Sequence, residues 1–124
     1  MVIGIGADIV KVEDIAQSIV NNARFVSRTF TMQEIEYCEG KISKYQHYAA
    51  RIAAKESMMK ALGFGWDHGV QWKDIEIIKE SEAPPQIKLH NITLKIATDM
   101  GVQHSLLTLS HNDDYAIAFV VLEK

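Results

Sequence analysis

Arg51-Ile52-Ala53-Ala54-Lys55-Glu56-Ser57-Met58-Met59-Lys60-Ala61-Leu62-Gly63 is the stretch whose reading decides the fold. Alanine, methionine, lysine, glutamate and arginine are strong helix formers. With the residues before it, the run predicts a helix from about Tyr45 to Leu62, stopped by Gly63. Ala49, Ile52, Ala53, Glu56, Met59 and Lys60 then share one stripe of that helix. Glu56 sits inside an otherwise apolar stripe, where a carboxylate is costly unless a cation or a metal pairs with it. Lys60, one turn on, is one such partner, so the same residues also fit a structural Glu56–Lys60 ion pair on a half-exposed helix.

Working towards the N-terminus, Thr31-Met32-Gln33-Glu34 matches a capping box and opens a helix that carries Ile35 and Cys38 inward and ends at Gly40. Before it, Glu13 to Val20 shows a weak helical pattern closed by Asn21-Asn22. Val2 to Val10 is a nearly continuous β-branched run with Gly4 and Gly6, which predicts a buried strand to which another backbone comes close. Towards the C-terminus, Gly63-Phe64-Gly65 and Asp67-His68-Gly69 predict a loop. Val70 to Ile78 then reads as a strand, with Val70, Trp72, Ile75 and Ile77 as core candidates and Asp74 breaking the alternation. Pro84-Pro85 interrupts the chain, Gln86 to Leu89 is a short strand, and Asn91 is placed to cap a helix through Met100 that stops at Gly101. Ser105 to Ser110 and Tyr115 to Leu122, joined by the turn residues His111-Asn112-Asp113-Asp114, predict an antiparallel hairpin. Helices lie between a first strand and a late set of strands. The fold class is therefore α+β, an antiparallel sheet packed with a long helix, in one domain over residues 1–124.

Composition narrows the chemistry. Thirteen Lys and Arg against sixteen Asp and Glu give a net charge of −3, which argues against sequence-independent nucleic-acid binding. One cysteine, Cys38, excludes an internal disulfide and a cysteine-based zinc cage, and suits the cytoplasm. Met1 to Val10 is too short and too interrupted for a membrane span or a targeting segment. The five histidines lack ligand spacing, so transition metals gain little support. Two acids in apolar settings, Asp8 on the first strand and Glu56 on the long helix, are instead what magnesium takes from a protein when water and phosphate oxygens complete its shell. Lys41, Lys44, Arg51, Lys55 and Lys60 surround Glu56 as the only acid of that segment. Such a run is commonly just a solvated face; next to a Gly-rich loop and a metal carboxylate it suits a phosphate-rich ligand. Gly4-Ile5-Gly6 lacks the third glycine of a dinucleotide fingerprint, having Ile9 there. Cys38 reads as a small core residue, and Ser110-His111 diverge as strand neighbours and make a poor catalytic pair.

With these residues in view, the chain resembles the holo-[acyl-carrier-protein] synthase family, the small single-domain 4′-phosphopantetheinyl transferases. The matching blocks are Gly4 to Val10 around Asp8, Arg24-Phe25 through Arg28 to Thr31 with Glu34, Arg51 to Gly63, Trp72 to Ile77, and Leu109-Ser110-His111 with Tyr115 to Ala118. The resemblance implies transfer of the 4′-phosphopantetheine arm of coenzyme A to a serine of an apo acyl carrier protein, with release of adenosine 3′,5′-bisphosphate. It implies magnesium held by Asp8 and Glu56, and Lys60 beside the bridging phosphate. It implies coenzyme A contacts from Arg51, Lys60, Gly63, Phe64, Gly65 and His111, and a homotrimer with sites between subunits. Asp14 and Asn21 stand where the family commonly presents positive charge to the carrier, which shifts the expected docking onto Arg24 and Arg28. Phe64 stands for a small Thr and Asn112 for a Thr near the nucleotide. Two other readings fit the acids and the cations: a magnesium-dependent phosphoester hydrolase, and a non-catalytic coenzyme A binding module.

Overall fold

The computed structural model describes all 124 residues. Strand β1 (Val2–Lys11) pairs antiparallel with β5 (Tyr115–Glu123), which pairs antiparallel with β4 (His104–His111), giving a sheet of order β1-β5-β4. The expected hairpin is the β4–β5 pair, with His111 opposite Ala116. Its turn is tied by the Asn112 side-chain oxygen, which accepts from the backbone N–H of Asp114 and Tyr115 at 2.9 and 2.8 Å. Helix α4 (Lys44–Leu62) lies across one face of this sheet and ends at Gly63, whose φ of 76° is the left-handed cap that glycine adopts without strain.

The contact between α4 and β1 is backbone against backbone. A methyl group at Gly6 would overlap the Ser57 carbonyl, and one at Gly4 the Ala61 carbonyl. The two glycines of the first strand thus let the helix settle directly on the strand, and the Ser57 hydroxyl donates to the Ala118 carbonyl at 3.2 Å from the same turn. Small residues on the helix complete the approach: Ala49, Ala53 and Ala54 are fully buried. The helix is buried almost all round and not along a single stripe, with Glu56 half-buried and Lys60 exposed as its wettest positions in that stretch.

Helices α1 (Val12–Asn21), α2 (Phe25–Thr29) and α3 (Met32–Glu39) wrap the first half of α4. They build a core in which Phe30, Cys38 and Tyr48 are fully buried, with the Phe30 and Tyr48 rings 4.8 Å apart. The Thr31/Glu34 capping box is present as expected. A second, two-stranded sheet, β2 (Ile75–Ile78) with β3 (Gln86–Leu89), and helix α5 (Asn91–Met100) cover the other half of α4.

Four expectations are corrected. The first strand is not buried on both faces: Ile5 and Ile9 point away from α4 and are 62% and 63% exposed. The strand expected from Val70 begins only at Ile75, because residues 72–74 form a 3₁₀ turn in which Asp74 accepts from the Gln71 N–H. Asn91 is not a cap: His90 occupies that position, while Asn91, at a φ of 54°, donates to Asp74 Oδ1 at 3.0 Å. The basic run of 41–60 is not one solvated patch either, since Arg51 and Lys55 are buried.

Candidate active site

The register of β1 and the seating of α4 bring Asp8 and Glu56 together. Asp8 sits opposite Ala118 on β1, two residues beyond the glycine at which the helix touches the strand, and Glu56 is the residue before Ser57, which makes that contact. Lys60, one turn beyond Glu56, reaches over the strand and donates to Asp8 Oδ1 and to the Ala7 carbonyl, both at 3.0 Å. The structural alternative of a Glu56–Lys60 ion pair is thereby replaced by a Lys60–Asp8 pair across two elements.

The second Asp8 oxygen, Oδ2, is buried and has no hydrogen-bond partner. Burial, and then the neighbouring Asp8 carboxylate, push the Glu56 carboxyl up to about 7, with Lys60 acting in the opposite direction. Two acids held this close, one with an orphaned oxygen and one reluctant to ionise, are short of positive charge. No third His, Cys, Asp or Glu joins them to form a closed cation cage. A donor set of two carboxylates fits a small hard cation whose other positions fall to water or to ligand oxygens.

Gly63, Phe64 and Gly65 adjoin this cluster. With Glu56, Met59, Lys60 and Trp66 they line a depression of about 460 Å³. Phe64 packs edge-on against His68 at 4.8 Å, and Trp66 against Trp72 at 4.3 Å, so aromatic rings stiffen the loop. On the other side, Asp8 and Lys60 border a hollow of about 500 Å³ on the open face of the main sheet, with Ile9, Ile117 and Phe119.

Arg51 and His111 are brought together too, but in a separate pocket of about 240 Å³ that also includes Tyr37, His47 and Lys79. Arg51 is 2% exposed and makes no ion pair. His111 Nδ1 lies 2.7 Å from Gln46 Oε1, whose amide group donates to Asp113 at 3.1 Å. The His47 ring sits edge-on to that of His111 at 5.0 Å.

The sequence reading missed Tyr37 and His47, which carry no motif and reach the pocket only because α3 packs beside α4. It also misplaced Lys55. That side chain is fully buried, bonded at 2.9 Å to Glu34 Oε1 and to the Trp72 carbonyl, and it ties α4 to the capping box and to the 3₁₀ turn. Burial lowers its pKa, and Glu34 acts against that. The second Glu34 oxygen accepts from the Ile77 N–H, so the capping box is internal, and no signal in the sequence shows this.

Comparison with known proteins shows the family. A model of the 4′-phosphopantetheinyl transferase superfamily matches residues 4–120. The chain is 42% identical to the holo-[acyl-carrier-protein] synthase of Geobacter sulfurreducens over 100% of this chain and 99% of that one, and 40% identical to that of Solibacter usitatus over 99% of each. Among solved structures it is similar to the Neisseria meningitidis holo-[acyl-carrier-protein] synthase, with a TM-score of 0.89, 30% identity and full coverage of both chains. It is also similar to the Helicobacter pylori enzyme in complex with coenzyme A, with a TM-score of 0.82, 29% identity and coverage of 96% and 99%. An α+β chain matched end to end by these relatives, with its two acids and a lysine gathered at the junction of first strand and long helix, belongs to the 4′-phosphopantetheinyl transferase superfamily.

Proposed function

We propose that this chain is a holo-[acyl-carrier-protein] synthase, which moves the 4′-phosphopantetheine arm of coenzyme A to a serine of an apo acyl carrier protein and releases adenosine 3′,5′-bisphosphate. The observation that carries the reading is the cluster of Asp8, Glu56 and Lys60, with its buried unpartnered Asp8 oxygen, in a chain of this family. Asp8 and Glu56 would hold magnesium, which when bound supplies positive charge to the pyrophosphate of coenzyme A and lowers the barrier to phosphoryl transfer.

The serine oxygen forms a new bond to the phosphorus that carries the pantetheine arm, and the bond from that phosphorus to the bridging oxygen breaks. Lys60 is placed to neutralise or protonate the departing oxygen, and Asp8 fixes the ammonium by accepting one of its hydrogens. The serine proton would leave through Glu56 or a neighbouring water. Gly63, Phe64 and Gly65 would wall the nucleotide, while Arg51 and His111 would meet a phosphate of coenzyme A.

We further propose that the active unit is a homotrimer. Alternation along the main sheet puts Ile5, Ile9, Leu106, Ile117 and Phe119, each at least 43% exposed, on the face opposite α4. The hollow beside Asp8 and Lys60 opens on that same face, so a second copy covering the apolar surface would also close the site. No helix is long and apolar enough to cross a membrane. The single buried cysteine suits our reading of a cytoplasmic enzyme.

The deciding experiment is mass spectrometry of apo acyl carrier protein after incubation with coenzyme A and magnesium. The serine should gain one phosphopantetheine. Consumption of coenzyme A without a carrier would make the chain a hydrolase, and binding without turnover would make it a non-catalytic module.

A further inference from the structure

Arg51 is nearly fully buried, makes no ion pair, and leaves its Nε without a partner; its one hydrogen bond runs from Nη1 to the His47 carbonyl at 3.4 Å. A guanidinium in that setting is costly until an anion reaches it, and something must keep it from turning elsewhere meanwhile. The Tyr37 ring does so. The Arg51 guanidinium carbon lies 4.2 Å from the ring centroid and the Lys41 ammonium 4.7 Å from it, both well inside cation–π range. The Tyr37 hydroxyl is not needed for any of this, because only the ring makes these contacts. His47 braces the ring edge-on at 5.7 Å and in turn meets His111. Burial first, then His111, Arg51 and Lys41, hold the His47 imidazole down at about 4, so it adds no positive charge beside the arginine at neutral pH.

We infer that Tyr37 is a positioning residue for coenzyme A, its ring being the platform that holds the Arg51 guanidinium ready for a phosphate. The inference rests on the reading above that Arg51 meets a phosphate of coenzyme A. Arg51 precedes Glu56 by five residues on α4, which turns the two side chains about 140° apart and gives them separate pockets, so they meet different phosphates. With the pyrophosphate at Asp8 and Glu56, the phosphate left for Arg51 is the ribose 3′-phosphate.

The test is steady-state kinetics of the parent, Tyr37→Leu, Tyr37→Phe and Arg51→Ala with coenzyme A and with 3′-dephospho-coenzyme A. Tyr37→Leu should raise KM for coenzyme A by roughly tenfold while kcat and KM for the carrier stay near the parent values. Tyr37→Phe should restore it, and KM for the dephospho substrate should barely respond to either change. Comparing the two substrates within one preparation cancels any loss of folded enzyme. A parental KM for coenzyme A in Tyr37→Leu, or an equal rise for both substrates, overturns the platform while leaving the Arg51 reading intact. A parental KM for coenzyme A in Arg51→Ala overturns both.

Discussion

At Asp8, asparagine would keep an oxygen for the Lys60 ammonium but lose the charge. Asp8→Asn and Glu56→Gln should therefore fold normally by circular dichroism, yet transfer should fall at least about a hundredfold. The stabilisation that magnesium gives in a thermal melt should vanish with it; a variant that keeps both would remove that residue from the site. His47 offers a separate reading of the same neighbourhood. Its imidazole is neutral in the folded protein down to about pH 4, whereas an unfolded histidine takes up its proton near 6.5. The unfolded chain binds more protons in that window, so this residue costs stability as pH falls from 6.5 to 4. Glu56, whose folded value is raised from 4.5 to about 7, acts with the opposite sign from 4.5 upward, so the test is a difference between variants. His47→Gln should melt progressively higher relative to the parent as pH is lowered from 6.5 to 4, and a constant gap would show that the ring is freely protonated. At this scale, Asp8 and Glu56 were legible as acids in apolar surroundings. The lysines were not, because Lys55 and Lys60 have the same chemistry and propensity. Only the packing of α3 and the 3₁₀ turn decides that one is sealed with Glu34 and the other left over Asp8.

Among the elements, α4 and β1 were the most legible, since composition, a glycine stop and two strand glycines all point the same way. Their seam is testable. Gly6→Ala places a methyl against the Ser57 carbonyl, where backbone must move, at a cost of about 1–3 kcal/mol. The melting temperature should drop by roughly 5–15 °C, and activity should fall further than the unfolded fraction explains, because the seam spaces Asp8 from Glu56. An unaffected melt would mean that the helix can lift away freely. The segment 70–78 was less legible because Asp74 has two uses that alternation hides. It closes the 3₁₀ turn and accepts from Asn91 and Thr93 at 3.0 and 3.1 Å, so a polar residue buried by distant partners looked like a flaw in a strand. Asn91 was misread as a cap for the same reason.

For the molecule as a whole, one face of the main sheet is sealed by α4 and the other is open and apolar. Leu106 is 54% exposed and is not among the residues beside Asp8 and Lys60, so Leu106→Glu should leave the protomer folded while shifting light scattering from trimer to monomer and cutting transfer by about tenfold or more. A fully active monomer would end the proposal of a shared site. Sequence patterning could not show that face, because alternating apolar residues look the same whether a helix or another copy covers them.

The main sheet and the second sheet hold their backbone amides differently, and this has a kinetic consequence. Strand β5, hydrogen-bonded on both sides and pressed under α4, should trade its hydrogens for deuterium only when the whole chain opens. Each strand of the short β2–β3 pair has only one hydrogen-bonded neighbour, and a proline-containing connection joins the two. Because Ile75 and Ile77 of β2 share the core of β5 and α4, the fast exchange should fall to β3, whose Gln86 and Lys88 are exposed and whose amides should trade hydrogens orders of magnitude faster than those of β5.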